Sequence, residues 1–255
     1  MCKRRAWFRF YEELNDFLPV ARKKVAFPYP ISTNQSVKDA VEAIGVPHTE
    51  IDMILVNGSP VDFSYRLADE DHVSVYPQFE SLDITGVTSL RPKPLRDTKF
   101  IPDVHLGKLA KYLRLCGFDT TVNTSLNDAE LTDRAVAEKR IILTRDRGLL
   151  KNRKVTHGFC IRSQMPKKQL EEVFRRFNLK NSLRPFTRCM ECNSLLVAVE
   201  KNSVSDRLQS GTRLFFDHFK ECQGCGRIYW EGSHYERLMK LINDVVCLAG
   251  SAEET

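Results

Sequence analysis

The apolar residues of this chain change period several times, and each change marks a new element. Ala6 to Tyr11 and Lys24 to Phe27 read as strands. Val37, Ala40, Val41 and Ile44 recur at helical spacing, with Ser36 to cap that helix, Asp39 to complement its dipole and Gly45 to end it. Met53 to Val56 reads as a strand turned by Asn57-Gly58, and His72 to Tyr76 as another, stopped by Pro77. Further on, Phe100-Ile101 is a short strand ending at Pro102-Asp103. Leu106, Leu109, Ala110 and Leu113 then predict a helix closed by Gly117, and Thr120 to Val122 a strand. Asn127-Asp128-Ala129-Glu130 starts a helix with Leu131, Ala135 and Val136 on its inner face. Ile141-Ile142-Leu143 is a wholly apolar run that stops at Thr144-Arg145-Asp146, as a strand buried on both faces does. Val155, His157, Phe159 and Ile161 alternate, and Pro166 can open a helix that buries Leu170, Val173, Phe174 and Phe177. Leu195 to Val199 and Arg227 to Trp230 read as strands, and Tyr235 to Val246 as a final helix.

These periods divide the chain into parts. Two strands, a helix and two more strands over residues 1–80 form an α+β unit in β-grasp order. Residues 81–98, with Gly86, Pro92 and Pro94 among polar residues, suit a linker. Strand–helix alternation over 99–182 predicts an α/β core with a parallel sheet covered by helices on both faces. Residues 183–247 complete the chain, and Ser251 to Thr255 are expected to be disordered.

Composition adds little until charge is followed along the chain. The 255 residues are 42% hydrophobic and 28% charged, as in ordinary globular proteins. No apolar run approaches the roughly 18 residues of a membrane span. Met1-Cys2-Lys3-Arg4-Arg5 is not followed by an apolar signal core, so a cytoplasmic protein is expected. Net charge is +6, and it is concentrated: Arg134 to Arg176 holds 13 Lys/Arg against 4 Asp/Glu. A basic segment around a carboxylate-bearing strand end points to a polyanionic partner, nucleic acid first.

Of eight cysteines, four lie in two matched pairs, Cys189-Met190-Glu191-Cys192 and Cys222-Gln223-Gly224-Cys225. Each Cys-x-x-Cys knuckle offers two thiolates, and four thiolates close the tetrahedral shell of one structural Zn²⁺. Binding energy there is folding energy, on the order of 10 kcal/mol. The loop between the knuckles carries Arg207, Arg213, Phe215, Phe216, His218 and Phe219. Such residues either stack on single-stranded bases or plug a small core.

Three acids stand where α/β folds do chemistry, just beyond the carboxyl ends of strands. Asp103 follows the first strand of the core, Asp146 follows the apolar strand, and Asp128 opens a helix between them. Singly, each reads as a helix cap or ion-pair partner. Together, and with the basic excess, they suggest a site for a divalent cation such as Mg²⁺ or Mn²⁺, able to act on a phosphodiester.

Longer stretches carry a resemblance. Ala43-Ile44-Gly45-Val46-Pro47-His48-Thr49-Glu50, Val56-Asn57-Gly58 and Val73-Ser74-Val75-Tyr76-Pro77 resemble the ubiquitin-like domain of Mut7-C ribonuclease proteins. Asp103-Val104-His105-Leu106-Gly107-Lys108-Leu109-Ala110, Leu113 to Asp119, Leu143-Thr144-Arg145-Asp146-Arg147 and the region from Arg188 to Arg237 resemble the Mut7-C ribonuclease domain. The resemblance implies a PIN-like nuclease core, a β-grasp module in front and a zinc ribbon behind. It implies a metal-dependent ribonuclease, with Asp103, Asp128 and Asp146 as catalytic metal ligands and RNA as substrate. Lys108, Arg114, Arg145 and Arg147 are the candidate phosphate-binding residues, and neither an organic cofactor nor a membrane is expected. Two features depart from the related patterns. Sulfur carriers, the broader likeness of the β-grasp module, act through a free Gly-Gly end, whereas this module runs on into Gln78-Phe79-Glu80, so docking to a protein partner is its expected role. Related PIN-like proteins often have a further acid two residues past the one matching Asp146, where this chain has Gly148. Either one metal is held rather than two, or Glu130 or Asp133 substitutes, or the centre is decayed and the chain is an RNA-binding adaptor. A scaffold acting through the β-grasp module is a third reading.

Overall fold

The computed structural model describes residues 4–77, 98–123 and 125–250. It divides into two compact units, residues 1–97 with 127–160 and residues 98–126 with 161–255. The linker reading of 81–98 and the expected disorder of 251–255 lie outside the described residues, apart from Thr98.

In the first unit, β1 (Arg5–Phe10), β2 (Phe27–Pro30), α1 (Val37–Ile44), β3 (Met53–Val56), β4 (Ser59–Val61) and β5 (His72–Tyr76) make a β-grasp module. The sheet order is β2-β1-β5-β3-β4, with β1 and β5 parallel and the other pairs antiparallel. Ser36 caps α1 by accepting the Asp39 amide, and Gly45 ends it at φ +126°. Phe8, Phe10, Val37, Val41, Ile54 and Val75 form its core.

Two strands differ from expectation. The Lys24-to-Phe27 strand lies instead at Phe27–Pro30, because Lys24 sits at φ 59° in a turn. The short β4 contains Pro60 and was not foreseen. Both occupy sheet edges, where a missing amide is tolerated.

The same unit holds α3 (Asp128–Ala137), β8 (Ile141–Thr144), α4 (Arg147–Leu150) and β9 (Gly158–Cys160). Every residue of β8 and β9 is buried, which explains the unbroken apolar run, and the two strands pair in parallel from Ile142↔Gly158 to Thr144↔Cys160.

The second unit begins with β6 (Lys99–Pro102), α2 (Gly107–Leu115) and β7 (Asp119–Thr120), and β6 and β7 also pair in parallel. Parallel strands joined through helices are α/β architecture. At Gly117, which ends α2 at φ +96°, an added Cβ would stand 2.2 Å from the Arg184 carbonyl oxygen, so only glycine fits. The α5 helix (Pro166–Arg176) buries Leu170, Val173 and Phe174 and packs on α8 (Ser233–Gly250).

Between these helices lies a ribbon of β10 (Leu196–Val199), β11 (Phe219–Cys222) and β12 (Ile228–Trp230), antiparallel in that order. Two short helices, α6 (Lys201–Val204) and α7 (Ser210–Phe215), interrupt its long loop. The middle strand β11 was not expected, since its Lys220-Glu221 breaks the apolar pattern.

Among the described residues, no helix is long and apolar enough to cross a membrane.

Candidate functional site

The two knuckles meet. One ligand atom from each of Cys189, Cys192, Cys222 and Cys225 lies within 4.8 Å of the others. Cys189 Sγ is 3.6 Å from Cys225 Sγ, and Cys192 Sγ is 3.3 Å from Cys222 Sγ. These gaps are too long for disulfides. They approach the edge of about 3.8 Å that a tetrahedron with Zn–S bonds of 2.3 Å requires. The donor set therefore fits zinc, and the four thiols can hold one ion. Burial opposes a thiolate at Cys192, but hydrogen bonds from the Ser194 hydroxyl and amide draw it down to about 6.

A second layer of contacts orients the first knuckle. Tyr229 Oη lies 3.0 Å from Cys189 Sγ and accepts the Met190 amide at 3.2 Å. Arg114, on α2, is buried and donates to the carbonyls of Thr120 at 2.7 Å, Met190 at 3.0 Å and Glu191 at 2.7 Å. Burial pulls its guanidinium below the ordinary value, while the Cys189 and Cys192 thiolates act the other way. Asn193, in the left-handed region at φ 73°, accepts the Thr120 amide at 3.0 Å and donates to Asp119 at 2.9 Å. Lys111 reaches the Glu191 carboxylate at 2.8 Å. The expectation that Arg114 grips phosphate is corrected: its donors ring the backbone of the knuckle. Sequence reading missed Asn193, whose only signal was an asparagine directly after the second cysteine.

The acids occupy the foreseen places in the chain. Asp103 is the first residue past β6, and its carboxylate accepts the His105 amide at 2.8 Å. Asp146 caps α4, accepting the Gly148 amide at 2.7 Å, while its own amide donates to Thr144 Oγ1 at 2.9 Å. Asp128 is the first residue of α3 and is exposed. Asp103 and Asp146 thus act as caps, and carboxylates on strand-end turns are also suited to hold a hard cation. The substitutes considered for a fourth acid are engaged elsewhere. Glu130 closes a capping box with Asn127, and Asp133 pairs with Lys154 at 2.6 Å.

Much of the basic segment is also engaged. Arg147 donates to the Phe17 and Asp16 carbonyls at 3.2 and 3.5 Å, and its guanidinium lies 4.9 Å over the Phe17 ring. Lys151 donates to the Glu42 carbonyl at 2.7 Å, and the Cys160 amide to Glu50 at 2.7 Å. His48, buried, meets Glu42 through Nδ1 at 2.6 Å and the Val155 carbonyl through Nε2 at 2.9 Å, a structural role. The β-grasp module thereby grips the first residue of α4 and the chain that follows the helix. Arg147 is exposed, and its guanidinium is held by this grip. Arg134 and Arg140 both bridge to Glu138, and Lys167 to Asp244. Among the described residues, exposed Lys108 has no hydrogen bond or ion pair and is available to a phosphate; Arg145 is exposed beside Asp146.

The loop aromatics divide. Phe219, 3% exposed, packs with Val204 and Leu208, and Phe216 lies against that cluster. Phe215 at the end of α7 is 80% exposed.

Comparison with known proteins fits this anatomy. The model described as Mut7-C ubiquitin matches residues 3–83, and the model described as Mut7-C RNAse domain matches residues 98–242. Neither curated proteins nor solved structures give a significant match. With the larger of these matches spanning more than half of its length, from ahead of β6 into α8, the chain belongs to the Mut7-C RNAse domain family.

Proposed function

We propose that the protein hydrolyses RNA phosphodiester bonds with the help of Mg²⁺ or Mn²⁺, held by Asp103, Asp128 and Asp146. The observation that carries this reading is the match of residues 98–242 to a ribonuclease domain. It is supported by acids on the turns that follow β6 and β8, where open α/β folds bind their ligands. When bound, a divalent ion would offset the negative charge of the scissile phosphate. The chain's own part is orientation. The Gly148 amide fixes one Asp146 oxygen, and Thr144 fixes the turn beneath it. Arg147, held by Phe17, keeps the start of α4 in place. Lys108 and Arg145 are the cations proposed to meet the RNA backbone, and the four cysteines carry a structural zinc.

Zinc-loaded protein should cleave labelled single-stranded RNA when Mg²⁺ or Mn²⁺ is added. Asp146→Asn should slow cleavage by about 100-fold or more. Undiminished cleavage by that variant would remove Asp146 from the site. Gly148 in place of an acid favours a second reading, an adaptor that holds RNA without cutting it. Salt-sensitive RNA binding with no metal-dependent cleavage would select it.

A further inference from the structure

A cavity of about 650 Å³ opens where β10 ends, β11 begins and β12 runs into α8. Its size falls in the range of sites that enclose small ligands or side chains. Aromatic rings wall it: Phe186, Tyr229, Trp230 and Tyr235. Phe186 and Tyr235 touch, with ring centroids 4.4 Å apart. Trp230 remains 38% exposed although it lies in a strand. Gly232 makes room for the indole edge, since a Cβ there would stand 2.9 Å from Trp230 Nε1.

The charges on the lining have one dominant sign. Glu200, Asp217 and Glu231 contribute three carboxylates against a single lysine. That lysine, Lys220, donates to the Phe186 carbonyl at 3.0 Å and so faces its own wall. Asp217 has a partial counter-charge in Lys201 at 2.8 Å. An acidic rim repels phosphate, so this cavity does not suit the backbone of an RNA strand. It suits a cation that can lie flat on aromatic faces.

We propose that this cavity binds an arginine side chain presented by a basic segment of a partner protein. A guanidinium is planar, delocalised and weakly hydrated, so it stacks on indole and phenol rings at little desolvation cost. Its forked N–H groups match a carboxylate, which the rim supplies. An ammonium is more strongly hydrated and has no flat face. None of the strand-end acids lines this cavity, and the proposal does not depend on the nuclease reading.

The chain has two tryptophans, Trp7 and Trp230, so Trp7→Phe leaves Trp230 as the reporter. The zinc-loaded, full-length Trp7→Phe protein is titrated with acetyl-Gly-Arg-Gly-amide, with the same peptide carrying citrulline, and with uridine monophosphate, following indole emission. The arginine peptide should give a saturable change and bind about tenfold tighter than the citrulline peptide, which keeps the shape and lacks the charge. Glu231→Gln and Glu200→Gln, with zinc content unchanged, should each weaken binding about three- to tenfold. Equal affinity for arginine and citrulline, or no saturable change up to about 10 mM, would overturn the proposal. Tighter binding of the nucleotide would overturn it in favour of a base-stacking site.

Discussion

The cysteine cluster and the strand-end acids, for which we propose a divalent ion, differ in how they are built. Four thiols meet within 4.8 Å of one another, surrounded by Arg114, Tyr229 and Asn193. Asp103 and Asp146 instead hold backbone amides at the starts of helical turns. The four cysteines converge on one point, so an ion held there would be a fixture that supports folding. The acids have a second task in capping, so the local fold does not depend on an ion. On the proposed reading, a structural metal is built into the ribbon, whereas a catalytic one would come and go from a frame that stands without it.

The comparison breaks most visibly if zinc is removed. Chelation, or Cys222→Ser, should unfold the ribbon, since the ion supplies on the order of 10 kcal/mol of folding energy. Trp230 emission and thermal melting would report this, and an unchanged melt would show that the cluster is not a zinc staple. A smaller loss of stability, about 2 to 4 kcal/mol, is expected for Arg114→Met. It strands the Thr120, Met190 and Glu191 carbonyls that the guanidinium now satisfies. Denaturant titration measures it, and a change under about 0.5 kcal/mol would show that water replaces the arginine. Asp146→Asn sharpens the contrast from the other side. Asparagine caps as well as aspartate, so the melting point should move by no more than a degree or two while metal-dependent cleavage falls.

The smallest expected effect concerns pH. Glu138 is lowered from 4.5: burial opposes the shift, and hydrogen bonds from Arg140 and Arg134 outweigh it. Its folded value lies below its unfolded one, so its contribution is present above pH 4.5 and is lost as pH falls through the folded value. Glu138→Gln should therefore cost a few tenths of a kcal/mol at neutral pH and nothing in strong acid. A cost independent of pH would mean that packing, not charge, holds Glu138.

Some of this anatomy was legible in the residues and some was not. The knuckles could be read because metal geometry imposes spacing on neighbouring positions. The chain positions of β8 and Asp146 could be read because a strand buried on both faces must be apolar throughout and must stop sharply. The true work of Arg114 and Arg147 could not, because their acceptors are backbone carbonyls, which every residue has and no letter of the sequence marks. A basic segment therefore looked freer of partners than it is. The middle strand of the ribbon was hidden for a related reason: Phe219 and Cys222 are buried while Lys220 and Glu221 between them are not, which matches neither strand nor helix period.

The prolines at the margins of the β-grasp sheet limit how another protein can approach it. Ile31 donates its amide inward to Arg4, so Pro28 and Pro30, three and one positions earlier in the alternation, face outward without a donor. Pro60 occupies the opposite margin. A visiting strand that tried to extend the sheet beside β2 would find a ladder with missing rungs. Whatever recognises this module must read its side chains, and self-assembly by strand addition is discouraged at the same stroke.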